Sequence, residues 1–316
     1  MKIAVLKGGS SLERQVSLRS AARAEDALRS LGHDVVPLDA GPDLVRRLKE
    51  VEPDLAFIAL HGPGGEDGTP QELLEILGIP YTGPGVAACM RCMDKALAKH
   101  LFRAADIPTP DWVAFNSIAF RELGAAEALE EIEAHLGFPL VVKPAAQGSA
   151  LGVRFAATRE DVPQALVSAF SYDERVLLER HVEGRELAVS LLDGEPLPVV
   201  EVRPKEEDRF NYEARYEIGR TEYVCPAELG RDEVPRVQEV ARRAYDVLGC
   251  TGFARVDLML DGDGAPQALE ANAIPGLTDT SLLPMAADAT GLSFEELIGR
   301  IVELALGRRE SAPLPG

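Results

Sequence analysis

The chain has 316 residues, 46% of them apolar and 27% charged, and its 33 Lys+Arg against 52 Asp+Glu leave a formal charge of −19. Such a length holds about two domains and a sizeable core, and the composition is too apolar for a disordered chain. A surface this acidic repels nucleic acid and anionic membrane at long range, so neither is an expected partner, and any bound anion needs local basic groups.

Ile3-Ala-Val-Leu6 has the look of a short buried strand running into Gly8-Gly9. A helix is expected next, with Leu18, Ala22, Leu28 and Leu31 on its apolar stripe and Gly32 as its stop. Asp34 to Leu38 and Leu55 to Leu60 are two further strands, the second entering a loop from His61 to Gly68. Thr69-Pro70-Gln71-Glu72 predicts a helix start with Thr69 as its N-cap. The stretch from Val86 to Leu101 has the pattern of one helix. Strands alternating with helices in this way predict an α/β domain with a parallel sheet and a ligand site at the carboxyl ends of its strands. The first turn lacks the G-x-G-x-x-G spacing of dinucleotide folds, although Asp39 stands where a ribose-binding acid would, and no P-loop is present.

Pro108 to Pro110 marks a linker into a second region. There, Pro139 to Pro144 is a strand that delivers Lys143 just ahead of a small-residue loop, Gly148-Ser-Ala-Leu-Gly152. Further strands run over Arg175–Leu178, Glu186–Leu192 and Pro198–Val202. A polar, charge-dense segment between Arg203 and Tyr223 fits neither period and reads as either a disordered loop or a lid. A helix with Val234, Val237, Ala241, Ala244 and Leu248 on one face stops at Gly249. Ala254 to Leu260 then turns at Asp261-Gly-Asp-Gly264 and pairs with Ala268 to Asn272.

Cys89-Met-Arg-Cys92 has the spacing of a redox or zinc half-site, but Cys225 and Cys250 stand apart and no His is near, so the four thiols are expected to pack as small apolar groups. The longest interior apolar run, Leu55 to Leu60, is far short of the roughly 20 residues a membrane helix needs. Four apolar residues after Met1-Lys2 are too few for a secretory signal, and a cytoplasmic location is the default expectation.

Two constellations carry chemistry. Glu270 and Asn272 lie two apart on a strand and share a face, and the hairpin brings Asp257 beside them. Three oxygen donors on a rigid sheet suit Mg²⁺ or Mn²⁺ that also takes phosphate oxygens, although for the triplet alone a solvated sheet face is the favoured description. Lys143, with Gly148, Ser149 and Gly152, can bring positive charge and backbone N–H groups against phosphate.

Taken together, Gly8-Gly-Ser-Ser-Leu-Glu13-Arg-Gln-Val-Ser, His61-Gly-Pro-Gly-Gly-Glu-Asp-Gly-Thr69, Met93-Asp-Lys95, Val142-Lys-Pro144 with Gly148-Ser149, Tyr212-Glu-Ala-Arg-Tyr216 with Cys225-Pro-Ala227, Gly252-Phe-Ala-Arg-Val-Asp257, and Leu269-Glu-Ala-Asn272 with Pro275-Gly-Leu-Thr278 and Ser281-Leu282 occur in this order. Over essentially the whole chain this pattern resembles the D-alanine–D-alanine ligase family of the ATP-grasp superfamily. The resemblance implies an α/β domain with a parallel sheet over residues 1–94. A small central α+β domain over 95–182 and a C-terminal domain with an antiparallel sheet over 183–309 would follow, with a lid at about 203–223 and a tail at 310–316. It implies ATP-dependent ligation of two D-alanines through an acyl phosphate, for peptidoglycan precursor synthesis, with two Mg²⁺ (or Mn²⁺) on Asp257, Glu270 and Asn272. It places Lys95, Lys143, Gly148, Glu179, Glu186 and Arg215 around the nucleotide. Glu13, His61, Arg255, Gly276, Ser281 and Leu282 would lie around the two amino acids, and Glu13, Ser149, Tyr216 and Arg255 would be the catalytic group. A homodimer is the family expectation. Arg215 stands where the family usually has Lys, Ala150 where a second Ser is common, Ala273 for a frequent Thr and Gln15 for a frequent Glu. Tyr216, rather than Phe, is the dipeptide-type residue. Competing readings are a related ligase using D-Ser or D-lactate as second substrate, a non-catalytic ATP-binding regulator, and a periplasmic-type binding protein.

Overall fold

The computed structural model describes residues 1–204 and 221–311. Arg215, Tyr216 and the interior of the expected lid lie outside the described residues.

The chain opens with a three-stranded parallel sheet in which β1 (Lys2–Lys7) lies between β2 (Asp34–Asp39) and β3 (Leu55–Ile58). Ile3, Ala4, Val5 and Leu6 have no exposed surface, as expected of a central parallel strand covered on both faces. The first helix, α1 (Arg14–Ser30), does not bury the stripe the sequence suggested. Leu31 and Ala22 are exposed, and the inner face is Val16, Ser17, Ser20, Ala21, Ala24, Ala27 and Leu28. Small side chains let α1 lie close to the sheet, so of the expected stripe only Leu28 is fully buried. Glycine at position 8 is required by φ +76 and by Arg14 and Asp39, whose side-chain atoms would lie 2.3 Å from an added Cβ.

Further helices follow at α2 (Leu44–Val51), α3 (Thr69–Leu77), α4 (Val86–Met93) and α5 (Lys95–Ala104). Thr69 is the first residue of α3 rather than its cap. Left-handed Gly68 occupies the cap position, and Asp67 Oδ1 accepts the Thr69 N–H at 3.0 Å. The single helix expected over 86–101 is two. Asp94 is extended (ψ 99°), and its Oδ1 accepts the Leu97 N–H at 2.9 Å, which ends α4 and caps α5 with the same residue.

A second sheet is antiparallel, in the order β4 (Trp112–Asn116), β7 (Arg175–Arg180), β5 (Leu140–Pro144), β6 (Arg154–Ala156). Its apolar face packs a core of Leu140, Val142, Val176 and Leu178 that includes residues of α7 (Leu129–Leu136) and α8 (Val162–Phe170), with α6 (Ser117–Glu122) at the edge. Period-two alternation turns Val141, Lys143 and Glu179 to the other face.

The third sheet joins β11 (Thr221–Val224), β10 (Val200–Pro204), β8 (Gly184–Leu192), β12 (Phe253–Asp261) and β13 (Pro266–Asn272), with β9 (Glu195–Pro196) against β8. Leu187, Val189, Leu191, Ala254, Val256 and Leu258 share a core with Val237, Ala241, Ala244 and Leu248 of α9 (Glu233–Leu248), the face the sequence predicts for that helix. The same core takes in Ile3, Val5 and Leu28 of the first region, and residues of α10 (Leu282–Asp288) and α11 (Phe294–Ser311). Parallel sheet and large antiparallel sheet are thus welded through one interior, whereas the four-stranded sheet has its own.

Candidate active site

The two antiparallel sheets face each other across a cleft of about 520 Å³, lined by Lys95, Val141, Lys143, Gln147, Glu179, Glu186, Met259, Leu269, Asp257 and Glu270 among others. That volume suits a nucleotide-sized ligand. A second cavity, against the parallel-sheet domain, is lined by Glu13, His61, Glu66, Ser149, Arg255, Gly276, Ser281 and Leu282, and it shares Glu186, Asp257 and Glu270 with the first. The two volumes meet at the paired acids.

Strand register explains why they meet there. Asp257 and Glu270 are direct cross-strand partners on β12 and β13, and Arg255 lies opposite Asn272. Residues 255, 257 and 259 alternate with the buried 254, 256 and 258, so they point into the cleft. After Asp257 the pairing slips, Leu258 meeting Ala268, which leaves Leu269 as an extra residue. Leu269 and Glu270, though adjacent, therefore both line the cleft.

The acids are already held by cations. Arg255 donates from Nε and Nη2 to the two oxygens of Asp257 at 2.7 and 2.8 Å, and Asn272 Nδ2 donates to Asp257 Oδ2 at 3.0 Å. Lys95 Nζ is 3.2 Å from Glu270 Oε2 and donates to the Gln147 carbonyl at 2.6 Å. Among the described residues no group of three or more His, Cys, Asp or Glu side chains could cage a metal. Two carboxylates and an amide fit instead a hard divalent ion that completes its shell with phosphate and water oxygens.

At the far end of the cleft, Lys143 Nζ donates to Glu179 Oε1 at 2.8 Å, and both side chains are buried. Gly148 begins the loop over the cleft, and an added Cβ there would fall 2.6 Å from Glu13 Oε1. Ser149 and Ala150 both take φ +54. Left-handed backbone costs a non-glycine residue roughly 1–2 kcal/mol, and the strain is concentrated where the two cavities adjoin.

Glu13 sits at the start of α1 and is 4% exposed, and its Oε1 has no hydrogen-bond partner among the described residues. Burial raises its carboxyl pKa, offset in part by hydrogen bonding to Ser149 and the charge of Lys95. An unsatisfied buried carboxylate oxygen is a receptor for an ammonium group. His61 is pushed down to about 4, chiefly by burial, so its imidazole is neutral at pH 7. Its Nε2 is 3.2 Å from Ser20 Oγ, which also accepts the Leu277 N–H at 3.0 Å and so ties α1 to the loop before α10. In that loop Ser281 Oγ accepts the Thr278 N–H at 2.9 Å, and a Cβ on Gly276 would stand 2.8 Å from the same oxygen.

Thus Glu13, His61, Ser149, Arg255, Gly276, Ser281 and Leu282 gather at one cavity. Lys95, Lys143 and Glu179 line the other, and Glu186, Asp257 and Glu270 line both. Asn272 lines the second cavity, and Gly148 lies in a small recess between Glu66, Lys95 and Glu270. Two residues escaped the sequence reading. Glu66, within the His61–Thr69 motif, is buried beside Glu13 and accepts the Gly62 N–H at 3.0 Å. Burial and the neighbouring Glu13 raise it to about 8. Lys99 stands one helical turn after Lys95 and is fully buried. Asp39 proves structural, paired with Arg14 and accepting the Gly9 N–H at 3.3 Å. Nor does Cys250 stand alone, since its Sγ is 3.5 Å from Cys92 Sγ in the shared core.

A nucleotide-sized cleft gripped between two antiparallel sheets, with Lys143 on one, paired acids on the other and Lys95 on the adjoining helix, defines the ATP-grasp class. Residues 101–303 match the D-ala D-ala ligase C-terminus family, and residues 40–84 the D-ala D-ala ligase N-terminus family. A D-alanine--D-alanine ligase from a Synechococcus strain is 44% identical over 98% of this chain and 94% of its own length. One from Gloeobacter violaceus is 44% identical over 97% and 100%. The crystal structure of D-alanine--D-alanine ligase from Bacillus anthracis complexed with ATP superposes with a TM-score of 0.84 at 35% identity, covering 98% of this chain and 99% of that one. The chain belongs to the D-alanine–D-alanine ligase family.

Proposed function

We propose that the chain condenses two molecules of D-alanine to D-alanyl-D-alanine with conversion of ATP to ADP and phosphate. The observation that supports this is the junction of the two cavities at Asp257 and Glu270, where the terminal phosphate of a nucleotide in the first would meet an amino acid in the second. In the first step a carboxylate oxygen of one D-alanine takes the γ-phosphoryl group, the bond to the β-phosphate oxygen breaks, and ADP leaves. In the second, the deprotonated amine of the other D-alanine attacks the acyl carbon, and phosphate departs from a tetrahedral intermediate.

Glu13 holds the ammonium of the first D-alanine on its unpartnered oxygen. Lys95 and Lys143 neutralise phosphate charge, and Gly148 and Ser149 close over it. Arg255 faces the developing oxyanion, while Ser281 with the Leu282 N–H receives the second carboxylate in the wall that His61 and Gly276 complete. Glu179 and Glu186 take the base and ribose. Asp257, Glu270 and Asn272 would hold the Mg²⁺ or Mn²⁺ ions, which when bound neutralise the phosphates and polarise the group in transfer. Arg215 and Tyr216, outside the described residues, are assigned to phosphate and to the lid that keeps water from the acyl phosphate. Residues 1–94 serve as substrate domain, 95–182 as nucleotide clamp and 183–309 as metal-bearing domain.

Among the described residues no helix is long and apolar enough to cross a membrane. Action in the cytoplasm on small molecules belongs to the same proposal. A homodimer is expected, and light scattering tests it. The activity is tested by following phosphate and dipeptide with ATP, Mg²⁺ and D-alanine. Dipeptide with phosphate release is expected, and phosphate release that requires D-serine or D-lactate would overturn the choice of second substrate.

A further inference from the structure

Lys99 is one of the largest side chains with no exposed surface, and its ammonium is engaged on every side. Nζ lies 2.5 Å from Glu179 Oε2, donates to Thr109 Oγ1 at 2.6 Å and to the Pro110 carbonyl at 3.2 Å, and stands 5.3 Å from the centre of the Trp112 ring. The segment that holds it is itself fixed to β13: Thr109 Oγ1 donates to the Ala268 carbonyl at 2.7 Å, and Ala268 N–H to the Pro108 carbonyl at 2.8 Å. Lys99 does not line the cleft, whereas Glu179 and Lys143 do.

Glu179 therefore has two cations, Lys99 beneath it and Lys143 beside it, one on each oxygen. Burial pushes its carboxyl up, yet the two lysines outweigh that and hold it below the ordinary value. Burial likewise lowers Lys99, to about 8, against the pull of Glu179. Were Lys143 the only partner, turning it toward a phosphate would strand a buried carboxylate, which is strongly unfavourable.

We propose that Lys99 is a positioning residue: it keeps Glu179 neutralised from below, and so allows Lys143 to exchange that carboxylate for the phosphates of the nucleotide. The inference rests on the assignment of Lys143 to phosphate made above. Lys99 touches no substrate and acts only through Glu179.

A double-mutant cycle on the full chain tests it, with the ATP dissociation constant measured calorimetrically in Mg²⁺ for wild type, Lys99→Met, Glu179→Gln and the double variant. Lys99→Met should weaken ATP about tenfold, with the KM for D-alanine within about twofold, because Lys143 stays locked on Glu179. In the Glu179→Gln background, where there is no carboxylate for Lys99 to neutralise and none to hold Lys143, adding Lys99→Met should change ATP affinity less than about threefold. Should Lys99→Met fail to fold, Lys99→Gln keeps a donor for Thr109 and Pro110 without the charge and carries the same expectations. Equal losses in both backgrounds would reduce Lys99 to a structural role, and unaltered ATP affinity in Lys99→Met would also overturn the inference. A wild-type protein that bound no ATP would instead overturn the functional reading on which it rests.

Discussion

Arg255 holds both oxygens of Asp257, and the proposed mechanism gives it the developing negative charge as well. Replacing it with alanine should lower turnover about 10²–10³-fold, as loss of one preorganised donor does elsewhere, with ATP affinity changed only slightly. Steady-state kinetics beside calorimetry separate the two, and unchanged turnover would refute the role. Glu66 makes a different forecast. Its folded pKa of about 8 exceeds the ordinary 4.5, so its contribution to stability is full below pH 4.5 and is lost as pH rises through 8. Glutamine imitates the neutral form. Glu66→Gln should melt at the wild-type temperature near pH 4 and above it near pH 9, and a difference that stays flat across that range would contradict the burial argument.

Secondary elements show why parts of the fold were legible and parts were not. The α9 face and the β12–β13 hairpin could be read directly because each is set by period and turn residues within one element, and Asp261 indeed accepts the Asp263 and Ala265 N–H groups at 3.0 and 2.9 Å in the turn. The buried face of α1 could not, because close approach to the sheet selects Ser17, Ser20 and Ala21 over leucine. Nor could the break at Asp94, since capping competes there with an uninterrupted helical pattern. Glu66 and Lys99 escaped because what marks them is burial among charges brought together from distant segments. Strain in the loop after β5 was equally invisible from spacing. Ala150→Gly should relieve about 1–2 kcal/mol of left-handed strain and raise the melting temperature, and a lower melting temperature would mean the backbone is not strained at that position.

At the scale of the whole molecule, an acidic chain binds an acidic nucleotide by concentrating a few lysines where the sheets face each other. ATP with Mg²⁺ at a hundredfold excess over its dissociation constant should stabilise the fold by about 2.7 kcal/mol, read as a rise of several degrees in melting temperature. No rise in the presence of both would argue against a nucleotide site in the cleft. The common interior beneath the parallel and large antiparallel sheets has a mechanical corollary. Glu13 and Arg255 stand on elements that share one core, so the spacing of these two walls of the second cavity is set by the block itself. The four-stranded sheet, with a separate interior, is joined to that block near residues 94–96 and 108–112, through the Lys95 N–H to Ala145 carbonyl bond, the Arg175–Asp94 ion pair and the Ala96, Trp112, Leu177 contact. A swing of this jaw on those few contacts would open the cleft between the sheets and draw Ser149 away from Glu13, while leaving the spacing of Glu13 and Arg255 unaltered.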